Sequence, residues 1–188
     1  MRFRIGRTQV TLSFWLVAAA AALSVWDVAL LGQILLAVGV HELAHGMVLI
    51  LCGGRVRELS VGLHGVLLRP GEELPPGREA AVLAAGALAN LTLALCLWQQ
   101  ANQTAVVQLI VGVFNLLPLP ALDGGALLRL LLIRAMPPQL VDRMLANVGL
   151  TVVICIFAVT TGLYAMGWCH FLLPVAAAGL IWKTLRGA

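Results

Sequence analysis

The stretch His41-Glu42-Leu43-Ala44-His45 decides how this chain is read, because it lies inside the apolar run from Val28 to Leu51. A run of that length is long enough to cross a bilayer as a helix. Ionisable side chains within a span are costly and mark function. On a helix His41 and His45, four residues apart, project from one face, so both imidazoles can hold one metal ion. Glu42 stands beside them and can take a proton from water, as in the metalloprotease pattern. HExxH also arises by chance on soluble helices. Burying two His and a Glu among Leu, Val and Ala without a partner would be expensive, and a metal removes that difficulty.

Composition agrees with a membrane setting. Of 188 residues 61% are hydrophobic and only 11% charged, too apolar for a soluble domain of this length. No linker-like segment or repeat divides the chain, so a single transmembrane domain over residues 1–188 is expected. The four cysteines lack any CxxC spacing and read as small hydrophobes. The net charge of +4 does not imply nucleic acid. Arg2, Arg4 and Arg7 precede the first apolar run, Arg55, Arg57, Arg69 and Arg78 follow the second, and Arg129, Arg134 and Arg143 follow the fourth. With Lys183 and Arg186 at the end, six spans put every basic residue on one side, so both termini are expected in the cytoplasm.

The expected fold is all-α and polytopic, with six transmembrane helices and a small β-hairpin after the second. The spans are read at Val10 to Trp26, Val28 to Leu51, Ala80 to Trp98, Thr104 to Leu117, Met144 to Met166 and Phe171 to Trp182. The first also resembles a signal peptide but is read as a retained helix. Gly53-Gly54 ends the second. Leu59 to Val61 and Val66 to Leu68 are short β-prone pieces flanking Gly62-Leu63-His64-Gly65, which suits a turn. Pro70 to Arg78 reads as a solvated loop. Ala84, Ala85, Gly86, Ala87 and Ala89 give the third span a smooth face for close packing, with Asn90 its one polar interior residue. The fourth runs into Asn115-Leu-Leu-Pro118-Leu-Pro120-Ala-Leu-Asp123-Gly124-Gly125, where two prolines and two glycines forbid a continuous helix. Broken backbone at membrane depth is tolerated only where protein buries it or water reaches it.

A catalytic zinc takes three protein ligands and keeps one position open. His170 falls in an outer turn, and His64 would need the hairpin to dip into the membrane. Asp123 follows the fourth span on the cytoplasmic side, on irregular backbone able to fold back, and is the preferred third ligand. Its alternative role is to cap the helix that begins near Gly124.

HELAH in the second span, Ala85-Gly86-x-x-x-Asn90 in the third and Asn115-Leu-Leu-Pro118…Leu122-Asp123-Gly124-Gly125 near the fourth resemble the site-2 protease family of intramembrane metalloproteases. The likeness extends over essentially the whole chain and is strongest to the branch that includes stage IV sporulation protein FB. It implies one zinc per chain held by His41, His45 and Asp123, with Glu42 as base. The implied reaction is hydrolysis of a peptide bond in or near a transmembrane segment of a membrane-anchored protein, releasing a regulatory factor to the cytoplasm. A regulatory membrane partner and a bacterial cell membrane location fit the same branch. The chain departs from the pattern at Ala87, where the family usually has proline, and at Pro120, one residue early. A C-terminal nucleotide-binding domain of that branch is not expected here. Asn90 and Asn115 are candidates to steady substrate backbone, and Val66 and Leu67 to pair with an extended substrate strand. The rival readings are a metal transporter and a catalytically inactive binding protein, and an intact Glu42 argues against the latter.

Overall fold

The computed structural model describes residues 2–5, 8–12, 28–54, 56–62, 65–70, 74–100, 103–120 and 122–167. The chain divides into two compact units, residues 1–116 and 117–188. In chain order the elements are β1 (Arg2–Ile5), β2 (Thr8–Leu12), α1 (Val28–Leu51), β3 (Val56–Gly62), β4 (Gly65–Pro70), α2 (Pro76–Leu97), a 3-10 turn (Trp98–Gln100), α3 (Gln103–Asn115), α4 (Asp123–Leu132) and α5 (Pro138–Ala165).

In the first unit, α1 ends where the glycines require. Gly53 takes φ 81°, a left-handed conformation that glycine adopts without a Cβ penalty. The Gly54 N–H then bonds the Leu49 carbonyl at 2.9 Å and the Gly53 N–H bonds that of Ile50 at 2.9 Å. These two bonds make a Schellman cap. Arg78 on α2 donates to the Cys52 carbonyl at 3.1 Å, satisfying another orphan acceptor at the same helix end. The helix α2 opens at Pro76, whose missing N–H costs nothing at a first helical position. The three helices α1, α2 and α3 pack on one another. The buried positions of α1 are Ala37, His41, His45 and Leu49, one stripe at four-residue spacing. Leu35, Leu36, Leu43, Met47 and Ile50 are exposed on its other faces. Apolar outside and polar within suits a lipid surround.

The structure corrects several expectations. A four-stranded sheet in the order β1-β2-β3-β4 stands beside the helices, so the fold is not purely helical. Val10, Thr11 and Leu12, read as the start of the first span, belong to β2 and pair in parallel with Leu59, Ser60 and Val61 of β3. Their apolar character merges with the run that follows, and the partner strand lies far away in sequence. The remainder of that span, residues 13–26, and the sixth, Phe171 to Trp182, lie outside the described residues. Among the described residues, α1, α2 and α5 are long and apolar enough to cross a membrane, and α3 is a shorter apolar helix. Six spans are therefore not what the described residues show. The helices α2 and α5 begin four and six residues earlier than expected, because Pro76 and Pro138 start helices rather than interrupt them. Strands β3 and β4 pair antiparallel with Gly62 opposite Gly65, and β4 is an edge of the sheet.

The second unit holds the broken segment and the helices after it. Leu119 is buried, its N–H turned onto the Leu117 carbonyl at 2.7 Å, and the Leu122 N–H bonds the Leu119 carbonyl at 2.9 Å. Gly125 lies against this turn, where an added Cβ would meet the carbonyl group of Leu119 and, at 3.0 Å, the nitrogen of Pro120. On α5, a Cβ at Gly149 would lie 3.1 Å from Pro120 Cδ. Arg129 of α4 and Asp142 of α5 form an exposed ion pair at 2.7 Å.

Candidate metal centre

His41 and His45 are 4% and 6% exposed, on the stripe of α1 that faces its neighbours. Their rings meet edge to face, with centroids 4.6 Å apart and planes at 82°. His45 Nδ1 lies 2.6 Å from the Val82 carbonyl oxygen on α2. A carbonyl only accepts, so Nδ1 carries the proton and donates, and the lone pair is left on Nε2. That Nε2 stands 3.0 Å from His41 Nε2. A backbone carbonyl holding the outer ring nitrogen is how proteins orient a histidine towards a metal. Two nitrogens bound at about 2.0–2.1 Å to a tetrahedral zinc would stand roughly 3.3 Å apart. The observed spacing is close to that, so the pair fits a metal.

The rings have room because α2 presents Gly86 to them. A Cβ there would lie 2.7 Å from both Cε1 and Nδ1 of His41 and would also press on His45 Nε2. No side chain can occupy that place unless the rings move. Asn90, one turn further along α2, is fully buried, and neither of its amide atoms has a hydrogen-bond partner. Glu42 is half-buried beside His41. Asn115, the last residue of α3, donates from Nδ2 to the Val111 carbonyl of its own helix at 3.0 Å.

Asp123 belongs to the second unit. It is half-buried and is the first residue of α4, directly after the broken segment. The N-cap position is Leu122, with no side-chain cap, so Asp123 does not take the capping place. Val66 and Leu67 lie on β4, opposite Val61 and Ser60. His64 and His170 lie outside the described residues. Sequence reasoning did not find the Val82 carbonyl, which carries no side-chain signal, and saw Gly86 only as part of a smooth face. It also passed over Gln108 of α3, which is fully buried.

Comparison with known proteins agrees with this architecture. The resemblance read from its motifs is borne out. Residues 98–157 match the model of Peptidase family M50. Stage IV sporulation protein FB of Bacillus subtilis (strain 168) is 31% identical over 142 residues, 69% of this chain and 49% of that protein. The chain thus spans about half the length of that curated relative. The site-2 protease from Methanocaldococcus jannaschii superposes with a TM-score of 0.72 over 99% of this chain and 94% of its own, at 20% identity, a likeness of fold.

Proposed function

We propose that this chain is an intramembrane zinc metalloprotease that hydrolyses a peptide bond in or near a transmembrane segment of a membrane-anchored protein, releasing a regulatory factor to the cytoplasm. The observation that carries the reading is the convergence of two buried histidine nitrogens, one fixed in its tautomer by the Val82 carbonyl. His41, His45 and Asp123 together offer two ring nitrogens and one carboxylate oxygen, the donor set of a catalytic zinc with an open position. Bound there, one zinc per chain would polarise the scissile carbonyl and acidify water. Glu42 takes the proton of the attacking water and passes it to the leaving amine, serving as base and then acid. The water oxygen bonds to the carbonyl carbon as the C–N bond breaks.

A peptide bond inside a helix is shielded by its own hydrogen bonds, so the substrate must be drawn out. The edge strand β4 suits that task. Its hairpin partner β3 is flanked on its other side by β2, which leaves the edge containing Val66 and Leu67 for an added strand. Of the four strands, β4 makes the main contact with α1. Asn90, with both amide atoms uncommitted, is the better of the two asparagines to meet a polar group. Both termini are placed in the cytoplasm, in a multi-pass arrangement. In support, Arg2, Arg4, Arg57 and Arg69 all fall within one sheet.

The test is capture of clients from native membranes with Glu42→Gln, their identification by mass spectrometry, and cleavage of the captured protein by wild-type enzyme in liposomes. Cleavage should vanish in Glu42→Gln, vanish on chelation and return with zinc. Equal cleavage by Glu42→Gln, or cleavage that survives full zinc removal, would sink the reading. Proline at Val66 or Leu67 should cut cleavage at one of the two positions while zinc content holds, and alanine should do much less. Equal losses from alanine and proline would instead indicate side-chain packing.

A further inference from the structure

Two hydrogen bonds that cross the seam between α1 and α2 lie along one stripe of each helix. The His45 ring donates from Nδ1 to the Val82 carbonyl at 2.6 Å, and Arg78 donates from Nη1 to the Cys52 carbonyl at 3.1 Å. On α2, Arg78, Val82 and Gly86 follow one another at four-residue steps and share a face. On α1, Cys52, Leu49, His45 and His41 do so at steps of three and four in the opposite direction. The contacts run in order along the seam: Arg78 with Cys52, Val82 with His45, then Gly86 with both rings. The two helices therefore lie antiparallel, and a slide of one along the other would shift all three contacts together. Where α2 is buried it carries Gly86, Ala87 and Ala94, and α1 carries Ala37 beside its histidines. Small residues let helix backbones approach closely but raise few ridges to stop a slide.

Arg78 is placed to stop one. Its own N–H bonds the Pro75 carbonyl at 2.9 Å, so its backbone is fixed in the first turn of α2. Its target is fixed as well. The Cys52 N–H continues the ladder of α1 onto the Val48 carbonyl at 2.9 Å, and Gly54 sits so tightly on Leu49 that a Cβ there would clash. From His45 to Cys52 is about 10 Å along α1, whereas from Val82 back to Arg78 is about 6 Å along α2. The long Arg78 side chain covers the difference, and its positive charge suits the carbonyl end of a helix. We propose that Arg78 is a positioning residue for His45: it sets how far α1 is seated along α2 and so keeps the His45 ring on the Val82 carbonyl. A slide of roughly 2 Å would carry that bond past the usual length of an N–H···O bond and release the ring from its tautomer. The consequence for zinc rests on the function proposed above; the seating of α1 and the tautomer do not.

The test is imidazole nitrogen NMR of the zinc-free full chain in lipid nanodiscs, with isotope-labelled histidine, followed by zinc titration. Wild type should show His45 as the Nδ1–H tautomer, with slow exchange of that proton. Arg78→Met keeps the stem and removes the donors, so it should give mixed tautomers at His45 and faster exchange. Its zinc dissociation constant should rise about tenfold, the lower end of the range for groups that orient a ligand. Arg78→Lys returns a donor on a chain of similar length and should recover most of both effects. Arg78 is exposed, so neither variant opens the core. A lower Tm in Arg78→Met with a wild-type His45 signal would mark an ordinary surface contact and overturn the proposal. So would Arg78→Lys behaving like Arg78→Met, because the hydrogen bond would then not be what seats the helix. Should wild type bind no zinc, the function proposed above fails while the ring signal still decides the role of Arg78.

Discussion

His41 and His45 sit on an unbroken helix, whereas Asp123 follows a stretch where helix is impossible. On α1 the two rings share a face because the helical period puts them there, and only their fine orientation is left to neighbours. Between Leu116 and Leu122 no period operates. Direction there is set by two prolines, by the turn closing Leu122 onto Leu119, and by close approach of Gly125 and Gly149. A regular helix supplies ligands in pairs at fixed spacing. A broken one can present a single group at an angle that no helical pitch allows.

The largest effects should come from removing the proposed ligands. His41→Ala, His45→Ala and Asp123→Ala should each abolish stoichiometric zinc binding, measured by elemental analysis of the purified protein. Normal zinc in Asp123→Ala would break the comparison, leaving the irregular segment without a role at the metal. Next comes Gly86→Ala, which puts a methyl against both rings and should weaken zinc binding by about 10–100-fold, the range for disturbing groups that orient a ligand. Unchanged affinity there would show that the rings can shift without losing the metal. The smallest effect should be that of Gly125→Ala, which crowds the Leu119 turn and should cost about 1–3 kcal/mol of stability in a denaturant series. It should leave the orientation of the two histidines untouched, detectable as an unaltered imidazole spectrum. A disturbed His45 signal in Gly125→Ala would show that the Leu119 turn and the histidine pair are coupled.

Much of the site was legible because its signals are local. The apolar run from Val28 to Leu51 dictated a helix with the bounds observed, and four-residue spacing dictated the shared face of the histidines. Pro118, Pro120 and the two glycines dictated a break before Asp123, since proline and glycine act on their own residue and its immediate neighbours. The pairing of Val10 with Leu59, forty-nine positions apart, was not legible, and three residues of strand were read as the start of a span. Nor could the sequence show that a carbonyl at Val82 selects the tautomer of His45, that Gly86 makes space for both rings, or that Gln108 is sealed from solvent. Periodicity and backbone constraint are properties of neighbouring residues and can be read along the chain. Tautomer choice, ring clearance and burial arise between helices that meet only once the chain has folded, so only the tertiary structure decided them.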